Sequence, residues 1–146
     1  MKLNMDIDPE IKEESVTVRA RQITEEVEQI RRIVEEGGSI TNIPVIKEDR
    51  QYILLLQHVS HVLTESGKTL AVSGKEKYVY KYSLKYFETH VDSGCFVRIS
   101  KYCLANIAWM DYFEAGFSGN LLLNFKNGWK ETVSRKYVAG LRKRLF

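Results

Sequence analysis

Lysine and arginine are concentrated in the last third of this 146-residue chain, where cationic side chains could bind a polyanion. Residues 98–146 carry nine Lys or Arg against three Asp or Glu, whereas residues 1–49 carry seven against twelve. The net charge of +3 conceals this division between an acidic front and a basic back. The division favours a polyanion-facing surface near the C-terminus, although a solvated charged face fits the charge pattern equally well.

Three tyrosines at alternate positions offer a second kind of chemistry, which is stacking on unpaired bases. Tyr78, Tyr80 and Tyr82 fall on one face of a predicted strand, because successive side chains alternate between the faces of a sheet. Aromatic platforms of this kind bind single-stranded nucleic acid. A packed sheet face explains the same spacing, and we favour it over a stacking platform.

No arrangement of residues predicts a catalytic or metal site. His58, His61 and His90 accompany no recognisable nucleophile motif, and the chain contains no HExxH, GxGxxG or P-loop pattern. Cys95 and Cys103 fit neither a disulfide framework nor a zinc site, since both usually need more ligands at closer spacing. We therefore predict a protein that is not an enzyme and needs no cofactor or metal.

The composition indicates a globular chain, with 44% hydrophobic and 28% charged residues. The purely aliphatic runs over residues 53–56 and 121–123 are too short to span a bilayer. Residues 1–6 show no apolar stretch and no cleavage site, so no secretory signal is expected. The cysteine usage also suits a reducing compartment, and we expect a cytoplasmic protein.

The N-terminal part of the chain predicts two strands followed by a helix. Residues 3–7 and 16–20 alternate apolar with polar side chains, which is typical of half-buried strands. Residues 23–34 then repeat apolar side chains at helical spacing, with Thr24 in the N-cap position. We predict a ββα extension over residues 1–38.

A linker over residues 39–49 is expected next, and a dense series of short strands follows it over residues 50–146. Asn127-Gly128 between two apolar runs is a strong hairpin signal. Ser83 and Ser134 can each cap a short helix. The predicted fold class is α+β and mostly β, a sandwich of short antiparallel strands with small helices.

The segment FVRISKYCLANI over residues 96–107 resembles the signature of LytTR DNA-binding domains. That signature has an aromatic residue, an arginine, a short polar cluster, an apolar pair and an asparagine. Residues 121–137 resemble the closing hairpin of the family and its Ser-Arg motif before the terminal helix. Residues 56–69, followed by residues 78–84, resemble its first strands. The resemblance covers residues 50–146 and implies a LytTR-like domain that binds DNA.

The resemblance further implies that loops and strand ends, instead of a recognition helix, enter successive major grooves. Lys and Arg can donate to guanine O6 and N7, whereas Ser and Thr serve bases or phosphates. Lys101 and Arg135 are the strongest candidates for base contacts, and Lys136 is a candidate for a phosphate contact. The residues implied by position form three segments, which are Lys68 and Thr69, then Ser100, Lys101 and Tyr102, and finally Ser134, Arg135 and Lys136.

Simpler roles stay open for three residues of these motifs. Arg135 could pair with Glu131, and Ser134 is expected to cap a helix whatever else it does. Asn106 is expected to make a structural turn bond in preference to a base contact.

In organisation, this chain is also similar to short stand-alone LytTR transcription regulators of bacteria, which begin with a ββα extension. That similarity implies tandem or repeated sites on double-stranded DNA and a small membrane protein as a regulatory partner, and it leaves a homodimer open. Two alternatives remain: a protein-interaction module that uses the acidic extension, and a single-stranded nucleic-acid binder that uses the tyrosines.

Overall fold

The computed structural model describes residues 1–36, 40–92 and 94–146 and divides the chain into two units, Met1–Gly38 and Ser39–Phe146. The boundary predicted between residues 38 and 39 lies outside the described residues. No helix of the described part is long and apolar enough to cross a membrane.

The described residues of the first unit contain one helix, α1 (Glu25–Glu36). Thr24 caps it as predicted, because its Oγ1 accepts a hydrogen bond from the backbone N–H of Val27 at 3.3 Å. The two strands predicted before the helix are wrong, since residues 1–24 hold turns and bends and no strand. A strand needs a neighbour for its N–H and C=O groups, and the described residues of this unit offer none.

The second unit contains ten strands and two helices among its described residues, together with short 3-10 turns at Leu56–His58, Ile107–Trp109 and Phe117–Gly119. Antiparallel pairing joins the strands into a seven-stranded sheet, β2-β1-β5-β4-β3-β7-β6, and a three-stranded sheet, β10-β9-β8. The elements are β1 (Asn42–Lys47), β2 (Arg50–Leu55), β3 (Val59–Glu65), β4 (Lys68–Ser73), β5 (Glu76–Tyr80), α2 (Leu84–His90), β6 (Phe96–Ser100), β7 (Cys103–Asn106), β8 (Met110–Ala115), β9 (Leu121–Phe125), β10 (Lys130–Val133) and α3 (Arg135–Leu145).

The predicted linker is instead part of the large sheet. Ile43 and Val45 of β1 are almost fully buried, and their alternation places both against the core. Pro44 is compatible with this strand because the ladder with β5 includes only Val45 and Ile46. The missing N–H of Pro44 is therefore not needed on that side.

Two apolar cores lie on opposite faces of the β6–β7 hairpin. Leu104 packs into the core that β1, β3, β5 and α2 share, whereas its neighbours Cys103 and Ala105 pack into the core beneath the three-stranded sheet and α3. Every residue of β7 is buried, because both of its faces are covered. The predicted mostly β fold with small helices is confirmed. The two cores fix the positions of the strands and therefore of the loops that connect those strands.

Candidate nucleic-acid interface

The loop between β6 and β7 lies between the two other segments that were singled out from the sequence. The backbone N–H of Thr64 donates to the carbonyl oxygen of Tyr102 at 2.8 Å, which joins this loop to the end of β3. The N–H of Ser134 donates to the carbonyl oxygen of Ile99 at 2.9 Å, which joins the same hairpin to the start of α3. A cavity of about 360 Å³, here called the inter-loop cleft, has Thr64, Ser100, Tyr102, Glu131 and Ser134 among its lining residues.

Arg98 holds the β6–β7 loop in place, a role that the sequence analysis missed. Its Nη1 donates to the carbonyl oxygens of Lys101 at 2.7 Å and Ser100 at 3.3 Å. Its Nε donates to Glu88 Oε2 of α2 at 2.8 Å. The sequence feature that could have predicted this role is the arginine of the signature segment, which lies two residues before the polar cluster. Because the guanidinium bonds the loop backbone, it fixes the direction of the neighbouring side chains.

The cations of the three segments are presented to solvent. Lys68, Lys101, Arg135 and Lys136 are all exposed. The Nζ of Lys101 lies 5.5 Å from the centre of the Tyr102 ring. The Nζ of Lys136 likewise lies over the ring of Tyr137. Across residues 1–36, 40–92 and 94–146, none of the four is joined to a carboxylate within 4.0 Å. These side chains are therefore available to an anionic partner.

The remaining residues of the three segments differ in accessibility. Tyr102 is exposed, whereas Ser100 and Ser134 are half-buried at the inter-loop cleft. Thr69 is only 8% exposed and lies inside β4, paired with β3 and β5. Lys68 and Thr69 line a second cavity of about 450 Å³, and Thr64 belongs to both cavities. The first segment therefore adjoins the other two through β3.

The start of α3 is fixed by Asn120 and not by Ser134. Ser134 occupies the N-cap position, but its hydroxyl makes no capping hydrogen bond. Asn120 Oδ1 accepts from the backbone N–H of Arg135 at 2.8 Å instead. The expected capping bond of Ser134 is therefore wrong: the N–H of Arg135 is bound by a side chain from the β8–β9 loop, and the N–H of Tyr137 donates to the backbone carbonyl oxygen of Ser134 and not to its hydroxyl.

Glu131 does not pair with Arg135 but faces a buried histidine. Its Oε1 lies 3.4 Å from His61 Nε2. His61 is fully buried, stacks on Phe125 with ring centres 4.5 Å apart, and has Ser60 Oγ at 2.9 Å from its Nδ1. Because β3 carries the histidine and β10 carries the glutamate, this contact joins the two sheets at the inter-loop cleft.

The tyrosine stripe belongs to packed structure, as favoured above. Tyr80 is buried, and burial together with Tyr86 and Tyr82 raises its pKa to about 12. Tyr82 lies beyond the end of β5 and stacks on Tyr86 with ring centres 4.2 Å apart. Tyr78 packs edge-on against Tyr52. Since these rings already face one another, they do not form an open stacking platform.

Asn106 serves the structure, as expected. Its side chain is buried, its Nδ2 donates to the carbonyl oxygens of Val59 at 2.9 Å and Leu56 at 3.3 Å, and its Oδ1 accepts from Ala108 N–H at 3.0 Å. These bonds tie the end of β7 to the turn before β3.

Cys103 is a buried structural residue. Burial raises the pKa of its thiol well above the ordinary value, which keeps the sulfur protonated and unreactive. Within the described parts of the chain, His, Cys, Asp and Glu nowhere gather in a group of three that could hold a metal ion.

The second unit is a mostly β domain whose exposed cations lie on loops that backbone hydrogen bonds connect. The model of the LytTr DNA-binding domain matches residues 49–146, which is about two thirds of this chain, and the chain belongs to that family.

Similar proteins agree with this assignment. The chain is 21% identical over 116 residues to the sensory transduction protein LytR of Streptococcus agalactiae, covering 80% of this chain and 47% of the relative. It is 27% identical over 128 residues to the sensory transduction protein LytT of Bacillus anthracis, covering 88% and 47%. The chain therefore matches about half the length of these relatives.

A solved structure supports the fold. The LytTr DNA-binding domain of a protein described as a methyl-accepting/DNA response regulator from Bacillus cereus matches with a TM-score of 0.69 and 21% identity. The match covers 73% of this chain and 98% of that domain.

Proposed function

We propose that this protein is a transcription regulator that recognises specific duplex DNA sequences by placing its loops in the major groove. The observation that carries the proposal is that the segments of Lys101 and Arg135 are directly connected. Both cations are exposed, and the bond from Ser134 N–H to Ile99 O joins the segments that carry them. Both side chains can donate to guanine, Arg135 in a bidentate manner.

Phosphate contacts supply the remaining affinity in this proposal. Lys68 and Lys136 are exposed at the two outer segments, so they flank the base-reading residues. Ser100 and Ser134 have hydroxyl groups at the inter-loop cleft that can donate to phosphate or to a base edge. Thr69 is almost fully buried, so its role in this proposal is to support the loop and not to contact DNA. Tyr102 offers an exposed ring and hydroxyl beside Lys101.

Binding should depend strongly on salt. If about five phosphates are neutralised, the logarithm of affinity should fall against the logarithm of salt with a slope of about −4.5. The measurement is fluorescence anisotropy of the full chain with a duplex that it enriches from a randomised duplex pool. Random duplex and the separated single strands serve as controls. A flat salt response, or a preference for the single strand, would contradict the proposal.

The first unit fits a second role, which is self-association. Leu3 and Ile7 are 81% and 80% exposed, and they belong to a larger group of exposed apolar side chains in this unit, which also includes Met1, Met5, Ile11, Val16, Val18 and Ile23. Such a concentration of exposed apolar side chains is typical of an interaction surface. We propose that a second copy of the chain covers them. Two copies could then occupy the tandem sites that LytTR-type regulators are expected to bind.

Replacing Leu3 and Ile7 together by serine should convert a dimer into a monomer in sedimentation velocity, because the apolar area that drives association is lost. Ile53→Ser is a matched control, since Ile53 is an exposed apolar residue of β2 in the second unit. Loss of the dimer in Ile53→Ser alone, or a wild-type chain that is monomeric throughout, would rule out the role of the first unit in self-association.

A further inference from the structure

Phe117 is the most exposed of the large apolar side chains in the second unit, with 91% of its surface in solvent. It lies at the tip of the connection between β8 and β9, within a short 3-10 turn over Phe117–Gly119. Burying a ring of this size is favourable, so full exposure requires a physical reason. Scattered surface apolar residues are common, but this one lies in a loop that backbone hydrogen bonds close.

The tip is closed by backbone hydrogen bonds. The N–H of Gly116 donates to the carbonyl oxygen of Asn120 at 2.9 Å, and the N–H of Asn120 donates to the carbonyl oxygen of Phe117 at 3.0 Å. Ser118 has a φ of 53°, in the left-handed region that L-residues other than glycine seldom adopt. The loop thus keeps a strained residue next to the exposed ring.

The same loop is attached to the candidate base-reading arginine. Asn120 Oδ1 accepts from the backbone N–H of Arg135 at 2.8 Å. A Cβ atom on Gly119 would lie 2.9 Å from Arg135 Cδ, so the arginine stem rests directly on the glycine backbone. Gly119 also has a φ of +83°, which suits glycine. Phe117 is therefore carried on a closed loop that is fixed to the side chain and the backbone of Arg135.

We propose that Phe117 is a DNA-contacting residue whose ring packs against duplex DNA next to the base pair read by Arg135. This inference rests on the proposed function. An aromatic ring in the groove can pack on a thymine methyl group, or it can enter a base step as a wedge and bend the duplex. In both cases DNA removes the ring from water, which supplies the burial that the free protein lacks.

The test compares Phe117→Ala with Phe146→Ala. Phe146 is 88% exposed but follows the C-terminal end of α3, whereas the loop of Phe117 is fixed at its N-terminal end. Anisotropy is measured with the full chain and the duplex that the wild type enriches from a randomised pool. Phe117→Ala should weaken that binding about 5- to 30-fold, the change in an equilibrium constant that a loss of about 1–2 kcal/mol of apolar burial produces. Phe117→Leu should lose less, and Phe146→Ala should match the wild type.

Several outcomes would overturn the inference. Equal affinity of Phe117→Ala and the wild type would do so, as would an equal loss in Phe146→Ala. A lower melting temperature of Phe117→Ala, or a change in the sedimentation of the free protein, would show that the ring packs on protein. A wild type that enriches no duplex would instead remove the proposed function itself, so the two failures are distinguishable.

Two further measurements identify the DNA surface. If the ring packs on a methyl group, replacing one thymine by uracil should weaken the wild type but not Phe117→Ala. If the ring acts as a wedge, the bend angle from energy transfer between the duplex ends should be smaller with Phe117→Ala.

Discussion

Arg135→Ala and Lys101→Ala should each lower the affinity for the preferred duplex by about 1–3 kcal/mol, while affinity for random duplex changes little. The reason is that a donor to a base edge contributes only where the correct base is present. Arg135 has the larger expected effect, because a guanidinium can form two parallel bonds to guanine and its stem is held against Gly119.

The charge-matched control is Arg50→Ala. Arg50 is exposed on β2, at the edge of the seven-stranded sheet opposite to β6, so its removal changes the net charge but not the interface. We expect this variant to bind the preferred duplex like the wild type.

Lys136→Ala should weaken binding to preferred and random duplex alike and make the salt slope shallower by about one.

A competition assay in which every base pair of the preferred duplex is changed in turn gives the sharper measurement. Arg135→Ala should tolerate changes at one position that the wild type rejects, and Lys101→Ala should do so at another. Unchanged affinity in both variants would contradict the assignment of these two residues. A loss of affinity that is equal for preferred and random duplex would reassign them to phosphate contacts.

Asn106→Ala should lower the free energy of unfolding by about 1–3 kcal/mol, the largest effect that we expect from a single polar residue of this chain. The change removes the donor to the Leu56 and Val59 carbonyl oxygens and the acceptor of Ala108 N–H. A buried group left without its partner costs about 1–3 kcal/mol. Urea unfolding followed by circular dichroism measures the loss.

Asn124→Ala is the matched control for this stability prediction. Asn124 is also buried, but its Nδ2 has no hydrogen-bond partner among the described residues. The same truncation there should therefore cost clearly less. A similar loss in both variants would mean that cavity formation and not the hydrogen bonds of Asn106 sets the cost.

Asn106→Asp adds a dependence on pH with a defined sign. Its carboxylate would face two carbonyl oxygens in a buried site, which raises the folded-state pKa above the unfolded one. A raised folded pKa stabilises the fold at low pH, where the acid is protonated and can donate, and that stability is lost as the pH rises through the folded pKa. This variant should therefore be relatively more stable in acid, in contrast to Asn106→Ala.

The site was only partly accessible to sequence reasoning. The signature segment indicated Lys101, and the Ser-Arg motif indicated Arg135, because each motif is continuous in sequence. The supports of these residues are not continuous. Arg98 binds Glu88 from a separate helix, and Asn120 holds the start of α3 from fifteen positions away. No local pattern reports such pairs, since they depend on which strands become neighbours.

The local features and the family could be predicted from the amino-acid sequence alone. Gly128 has a φ of +92° in the predicted hairpin turn, and Ser83 caps α2 through the N–H of Tyr86, because these conformations depend on residues only a few positions apart. By contrast, it is strand pairing in the folded chain that makes residues 42–47 a strand and leaves residues 3–7 and 16–20 without one. Alternating side chains are necessary for a strand, but a strand also needs a partner for its backbone. Residues 42–47 pair with β2 and β5, whereas residues 3–7 and 16–20 have no partner strand among the described residues of their unit.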